Sequence, residues 1–181
     1  MINRILKISD SDMTIIRRLR MKSLYVWIAT WFGSGFMRPA PGTWGTLAAM
    51  PFALLLLALG NTAILIIATI LISILGWWAA RAFEKDSGVH DSKMIVVDEV
   101  AGLWLTTTPI SILTTSAHPL FSLYVVLSFL LFRFFDIIKP WPVSYFDKRV
   151  GGALGVMADD IMAGLYAAIV LTGIIYYAGS G

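Results

Sequence analysis

The chain has 181 residues, of which 58% are hydrophobic and only 14% are charged, whereas a typical soluble domain has about 25% charged residues. Together with a mean hydropathy of +0.80 and several long apolar runs, this composition predicts a multi-span membrane protein of one domain. The absence of cysteine excludes a disulfide framework and a thiol nucleophile. We expect no signal peptide, because the first residues lack an apolar core and a cleavage site.

Residues 1–22 form a basic arm in which positively charged and apolar residues are interleaved. This pattern favours an arm on an anionic membrane surface, although a solvated, disordered tail fits it equally well. Residues 23–32 are apolar but shorter than the roughly 20 residues that a spanning helix needs. Their tyrosine and tryptophans favour the membrane interface or a re-entrant helix.

Residues 33–46 are rich in glycine and proline, which predicts a loop instead of a regular element. The loop leads into a helix that we expect to begin near Leu47, with Pro51 in its first turn. Because a helix N-terminus with free amides attracts anions, the loop could bind phosphate through Gly42, Thr43 and Thr46. A simple interfacial turn remains the alternative, since no Gly-Lys-Ser/Thr follows as in a Walker A loop.

Five apolar stretches predict membrane spans at 47–59, 62–80, 95–113, 120–138 and 154–178. A four-span model would join 47–80 into one long bent helix. With five spans and a cytoplasmic N-terminus, the turns at 60–61 and 114–119 and the C-terminal tail lie outside, and none carries Lys or Arg. This positive-inside pattern predicts an all-α polytopic helix bundle of about five spans, preceded by an amphipathic or re-entrant segment.

The same topology places five acidic residues at the cytoplasmic face. They are Asp98, Glu99, Asp136, Asp159 and Asp160. Carboxylates in apolar segments are costly without a partner, and a cluster with no cysteine and little histidine favours Mg²⁺, or else Mn²⁺, over zinc. Adjacent residues lie about 100° apart on a helix, so one member of each pair is expected to coordinate metal. Gly102 and Gly164 would let their helices approach closely.

Basic residues accompany the acids and suit a phosphorylated anionic substrate. Those proposed to bind phosphate are Arg133, Lys139, Lys93 and Arg149. Metal, bases and a Gly-rich loop are the usual components of phosphoryl transfer. Simple salt bridges of Asp136 with Arg133 or Lys139 are an alternative, and His90 is either a loop residue or a general acid or base.

Several sequence runs together resemble the phosphatidylglycerophosphatase A family of Gram-negative bacteria. The runs are residues 33–35, 39–47, 95–102, 132–142 and 151–160, with Ala163-Gly164. The resemblance implies a Mg²⁺-dependent, multi-pass inner-membrane phosphatase with its active site at the cytoplasmic face. It would remove the terminal phosphate of phosphatidylglycerophosphate, giving phosphatidylglycerol on the route to cardiolipin.

Under this hypothesis the five acids are catalytic and hold one or two Mg²⁺, while the bases and the Gly-rich loop bind phosphate. The expected partners are a phospholipid and the membrane, with no nucleic acid, and residues 23–181 form a single phosphatase domain. A carboxylate-lined cation transporter or channel is the alternative function, but it would place acids near mid-span. A CDP-alcohol transferase would need an Asp-Gly…Ala-Arg run, which the sequence lacks.

Overall fold

The computed structural model of the chain describes residues 10–19 and 23–179, which consist of helices and loops. The helices are α1 (Asp10–Arg18), α2 (Leu24–Ala29), α3 (Pro41–Ala58), α4 (Thr62–Ser87), α5 (Val97–Leu113), α6 (Phe121–Ile138), α7 (Val143–Arg149) and α8 (Gly152–Gly179). A short 3₁₀ turn at Ser34–Phe36 lies between α2 and α3.

Four of these helices, α3, α4, α6 and α8, are long and apolar enough to cross a membrane. Their outward faces expose large apolar side chains such as Leu55, Ile74, Leu130 and Ile169. An apolar surface of this extent suits lipid and not water. The predicted fold class, an all-α membrane helix bundle, is therefore confirmed.

Helix α5 corresponds to the third of the five predicted spans and lies at the centre of the bundle. It has 17 residues, most of them buried, and it packs against α3, α4, α6 and α8. A helix that is apolar on all sides is expected to be enclosed by protein. This enclosure places the acidic start of α5 among the ends of its neighbours.

Helix α3 begins at Pro41, and the prediction of a loop up to Thr46 was wrong for its last six residues. Proline is favoured at the first helical position, where its missing N–H has no helical partner to lose. Pro51 consequently lies inside the helix instead of in its first turn. The first turn of α3 is therefore formed by the Gly-rich sequence itself.

The break between α3 and α4 is the predicted one at Gly60-Asn61. Gly60 has a φ of +63°, and the Asn61 side chain accepts hydrogen bonds from the amides of Ala63 and Ile64. This N-cap starts a new helix, which excludes a single bent helix over 47–80. Helix α4 then continues to Ser87, past the predicted end at residue 80, and stops at Gly88 with a φ of +72°.

The described part of the basic arm is helical. Leu19 is buried, and Ile15 and Ile16 pack half-buried against the core. The predicted contact of the arm with the membrane surface stays a prediction, and Arg4, Lys7, Arg20 and Lys22 lie outside the described residues. The predicted polar connection at 143–153 contains the short helix α7.

Candidate active site

A cleft of about 640 Å³ opens at the end of the bundle where α4 and α6 end and α3, α5 and α8 begin. It brings together most of the predicted site residues, as the alternating topology required. The predicted residues that line it are Asp98, Glu99, Asp136, Asp159, Asp160, Arg133, Lys139, Lys93, Gly42 and Thr43.

Three buried carboxylates lie close together in this cleft. One oxygen each from Asp98, Glu99 and Asp160 lies within 4.8 Å of the other two. Asp98 Oδ1, Glu99 Oε2 and Asp160 Oδ2 are buried and have no hydrogen-bond partner among the described residues. Buried carboxylate oxygens without partners are costly unless a cation is bound, and an all-oxygen donor set fits Mg²⁺.

Both members of the first acidic pair join this cluster, which differs from the expectation of one ligand per pair. Asp98 and Glu99 lie in the first turn of α5, where side chains can converge over the helix end. There they also interact favourably with the helix dipole. From the second pair only Asp160 takes part.

Asp159 instead pairs with a lysine. Lys139 Nζ donates to Asp159 Oδ2 and to Asp147 Oδ1, and Asp159 Oδ1 accepts from the amide of Asp160. Burial lowers the pKa of Lys139, but its hydrogen bonds to the two carboxylates outweigh burial and raise that pKa above its ordinary value. Lys139 therefore remains a cation that neutralises Asp159 beside the three-carboxylate cluster.

Arg133 also lies beside the cluster. Its Nη1 lies 2.7 Å from Asp136 Oδ2 and 3.8 Å from Glu99 Oε1, and it donates to Thr46 Oγ1 at 3.5 Å. The salt bridge between Arg133 and Asp136, considered in the sequence as an alternative role, is therefore present. Both residues line the cleft. Arg133 Nε is buried without a partner in the described part of the chain.

The start of α3 supplies backbone amides. Gly42 and Thr43 line the cleft in the first turn, where amides have no partner within the helix. The N-cap residue Ala40 gives no side-chain cap. Gly42 also lies so close to Glu99 that an added Cβ would collide with Glu99 Oε1.

Two predicted phosphate ligands do not line the cleft. Thr46 is buried. Its hydroxyl donates to the Gly42 carbonyl at 2.8 Å and accepts from Arg133 Nη1 at 3.5 Å. Arg149 is exposed at the end of α7, outside the cleft lining. Conversely, His90, Asp91 and Asp147 line the cleft although the sequence assigned them no firm role, because their polar surroundings resembled a solvated loop.

A family model described as Phosphatidylglycerophosphatase A matches residues 27–175. The chain belongs to the phosphatidylglycerophosphatase A family. The match includes every predicted site residue and confirms the resemblance found in the sequence. Membership in this family makes the chain an enzyme, a phosphatase.

Relatives agree with this assignment. A protein of Haemophilus influenzae named Phosphatidylglycerophosphatase A is 40% identical over 150 residues, covering 83% of this chain and 88% of the relative. Its namesake in Escherichia coli K12 is 38% identical over 162 residues, covering 90% and 87%. A Bacteroides thetaiotaomicron relative, provisionally named a phosphatidylinositol-3-phosphatase, is 39% identical over 162 residues, covering 84% and 94%. No solved structure matches the chain.

Proposed function

We propose that this family member hydrolyses the terminal phosphate monoester of phosphatidylglycerophosphate, releasing phosphate and leaving phosphatidylglycerol. The reaction requires Mg²⁺ and takes place at the cytoplasmic face of the bacterial inner membrane, on the route to cardiolipin. The observation that carries the proposal is the cluster of Asp98, Glu99 and Asp160. One oxygen of each lies within 4.8 Å of the other two, and each residue has a buried oxygen without a partner among the described residues.

Asp98, Glu99 and Asp160 would hold the Mg²⁺. When bound, the ion supplies charge stabilisation for the phosphoryl oxygens and lowers the pKa of a coordinated water. The donor set supports magnesium over zinc because the three groups are all carboxylates. Asp136 and Asp159 each pair with a cation, so their role is to position Arg133 and Lys139 beside the cluster.

The phosphate group would be bound by residues around the cluster. Arg133, Gly42 and Thr43 line the cleft, and the first-turn amides of the two α3 residues have no partner within the helix. Lys93 lies on the exposed rim. Preorganised donors of this kind stabilise the charge that develops in phosphoryl transfer. The nucleophile is water, whose oxygen forms the new bond to phosphorus.

The distribution of charge supports a cytoplasmic cleft. The cleft end of the bundle carries Arg38, Arg81, Lys85, Lys93 and Arg133 among its basic residues, whereas the turns at the other end carry none. Basic residues accumulate on the cytoplasmic side of membrane proteins. A lipid head group attached to phosphate would remain at this interface.

The direct test is phosphate release by the full-length chain in mixed micelles that contain phosphatidylglycerophosphate. We expect equimolar phosphate and phosphatidylglycerol, loss of activity with a Mg²⁺ chelator, and recovery when Mg²⁺ is restored. Phosphatidylinositol 3-phosphate should be compared directly because of the name of the Bacteroides relative. Preference for that lipid would overturn the proposed substrate. Ion flux in vesicles without phosphatase activity would favour the transporter.

A further inference from the structure

A histidine and a buried glutamate form a pair at the rim of the cleft. His90 lines the cleft, and its Nδ1 lies 3.5 Å from Glu84 Oε2, with 84% of the His90 side chain exposed and only 7% of the Glu84 side chain. Nδ1 is the ring nitrogen within ion-pair distance of the glutamate, so a proton given to a ligand in the cleft would come from the opposite nitrogen, Nε2. A carboxylate that fixes one imidazole nitrogen in this way orients the other.

Glu84 also accepts hydrogen bonds from two backbone amides. Its Oε1 accepts from the amide of Asp91 at 3.0 Å, and its Oε2 accepts from the amide of Ala153 at 3.2 Å. The glutamate therefore ties the end of α4 to the loop that carries His90 and to the start of α8. That helix carries Asp160 toward the three-carboxylate cluster.

The loop beside His90 adopts a backbone conformation that needs such support. Asp91 has a φ of +52°, a left-handed conformation uncommon for residues other than glycine. Strained backbone of this kind persists where surrounding contacts fix it, and it concentrates at functional sites. The hydrogen bond from the Asp91 amide to Glu84 is one such contact.

We propose that His90, oriented by Glu84, is the general acid that protonates the leaving group in the reaction proposed above. The inference rests on the proposed phosphatase function. As the water oxygen bonds to phosphorus, the ester P–O bond breaks and its electron pair stays on the ester oxygen. Nε2 of His90 donates its proton to that oxygen, giving the neutral alcohol of the lipid.

The protons balance without another reactant. The attacking water loses one proton, which ends on the phosphate product or in solvent, and His90 regains one from solvent because its side chain is exposed. The other cations near the cluster are less suited. Arginine does not release a proton in proteins, and Lys139 is engaged by two carboxylates that raise its pKa.

The test compares two substrates whose leaving groups differ in their need for a proton. General acid catalysis typically contributes about 10²–10⁴-fold, and it matters little when the leaving oxygen is already a stable anion. We therefore expect His90→Ala to lower kcat on phosphatidylglycerophosphate by about 10²-fold or more but to leave kcat on 4-nitrophenyl phosphate nearly unchanged. His118→Ala is the matched control, because His118 lies in the turn at the other end of the bundle and should leave both rates unchanged.

A second measurement uses the lipid alone, so its result does not depend on activity toward 4-nitrophenyl phosphate. Without a general acid, negative charge accumulates on the leaving oxygen. The ¹⁸O kinetic isotope effect at the bridging ester oxygen should therefore increase in His90→Ala. An equal loss on both substrates with an unchanged isotope effect would overturn the proposal, as would full activity of His90→Ala on the lipid. Inactivity of the wild-type chain toward phosphatidylglycerophosphate would instead refute the proposed function.

The role of Glu84 is tested by a double-mutant cycle. If Glu84 acts through His90, Glu84→Gln should lower the rate on the lipid in the wild-type background and have no further effect in His90→Ala. Additive losses in the double variant would show that Glu84 only maintains the loop and α8, and would remove it from the proposed pair.

Discussion

Gly164 of α8 packs on the backbone of Gly102 of α5. A Cβ added at Gly164 would lie 2.5 Å from the Gly102 carbonyl oxygen and 3.0 Å from its Cα. Gly102 follows Asp98 by one helical turn, and Gly164 follows Asp160 by one turn. This close approach therefore sets the distance between the two helices that carry the carboxylate cluster.

Substituting Gly164 by alanine should push the two helices apart. Overpacking of this kind costs about 1–3 kcal/mol, and we expect lower stability in detergent together with a loss of phosphatase activity. Gly173→Ala is the matched control, since it lies on the same helix and a Cβ there meets nothing within 4 Å. Equal melting temperatures and activities for the two variants would contradict the spacing role of Gly164.

Gly42→Ala should disturb the proposed metal site at Glu99. The added methyl group would collide with the Glu99 carboxylate, so that carboxylate must shift. We expect the Mg²⁺ concentration for half-maximal activity to rise, as measured by phosphate release over a Mg²⁺ titration. An unchanged Mg²⁺ requirement in a folded Gly42→Ala protein would argue against Glu99 as a ligand.

Lys139→Met should leave Asp159 buried without its cation. Removing one partner of a buried charged hydrogen bond costs about 1–3 kcal/mol, so the free energy of unfolding in detergent should fall. Adding Asp159→Asn to Lys139→Met should restore part of this stability, because the uncompensated carboxylate is then gone. A double variant no more stable than Lys139→Met would argue against the pairing. Lys139→Arg, which keeps the charge, serves as the control.

The sequence predicted the fold class and the meeting of the acids at one end, because apolar length and the placement of basic residues fix the topology of a membrane bundle. It did not predict which acids share a site. Asp159 and Asp160 are adjacent and chemically alike, and only the position of Lys139 after α6 separates their roles. The sequence also did not predict the buried contacts of Glu84, because they depend on where α8 begins.

Membrane orientation can be measured with introduced cysteines, because the chain has none of its own. Lys85 is exposed at the cleft end of α4, and Ser116 is exposed in the turn at the other end. In intact cells we expect a membrane-impermeant maleimide, after the outer membrane is opened, to label Ser116→Cys only. Lys85→Cys should react after the inner membrane is also permeabilised. The reverse pattern would place the cleft outside the cytoplasm.

The most direct measurement is phosphate release from phosphatidylglycerophosphate by Asp98→Asn and Asp160→Asn across a Mg²⁺ titration. Asp86→Asn is the matched control, since Asp86 accepts a hydrogen bond from Tyr25 at 2.6 Å and does not line the cleft. If the cluster holds the metal, both cleft variants lose activity at every Mg²⁺ concentration, or recover only at much higher concentrations, while Asp86→Asn behaves as wild type. Full activity of Asp98→Asn and Asp160→Asn at the wild-type Mg²⁺ requirement would contradict the assignment of the site.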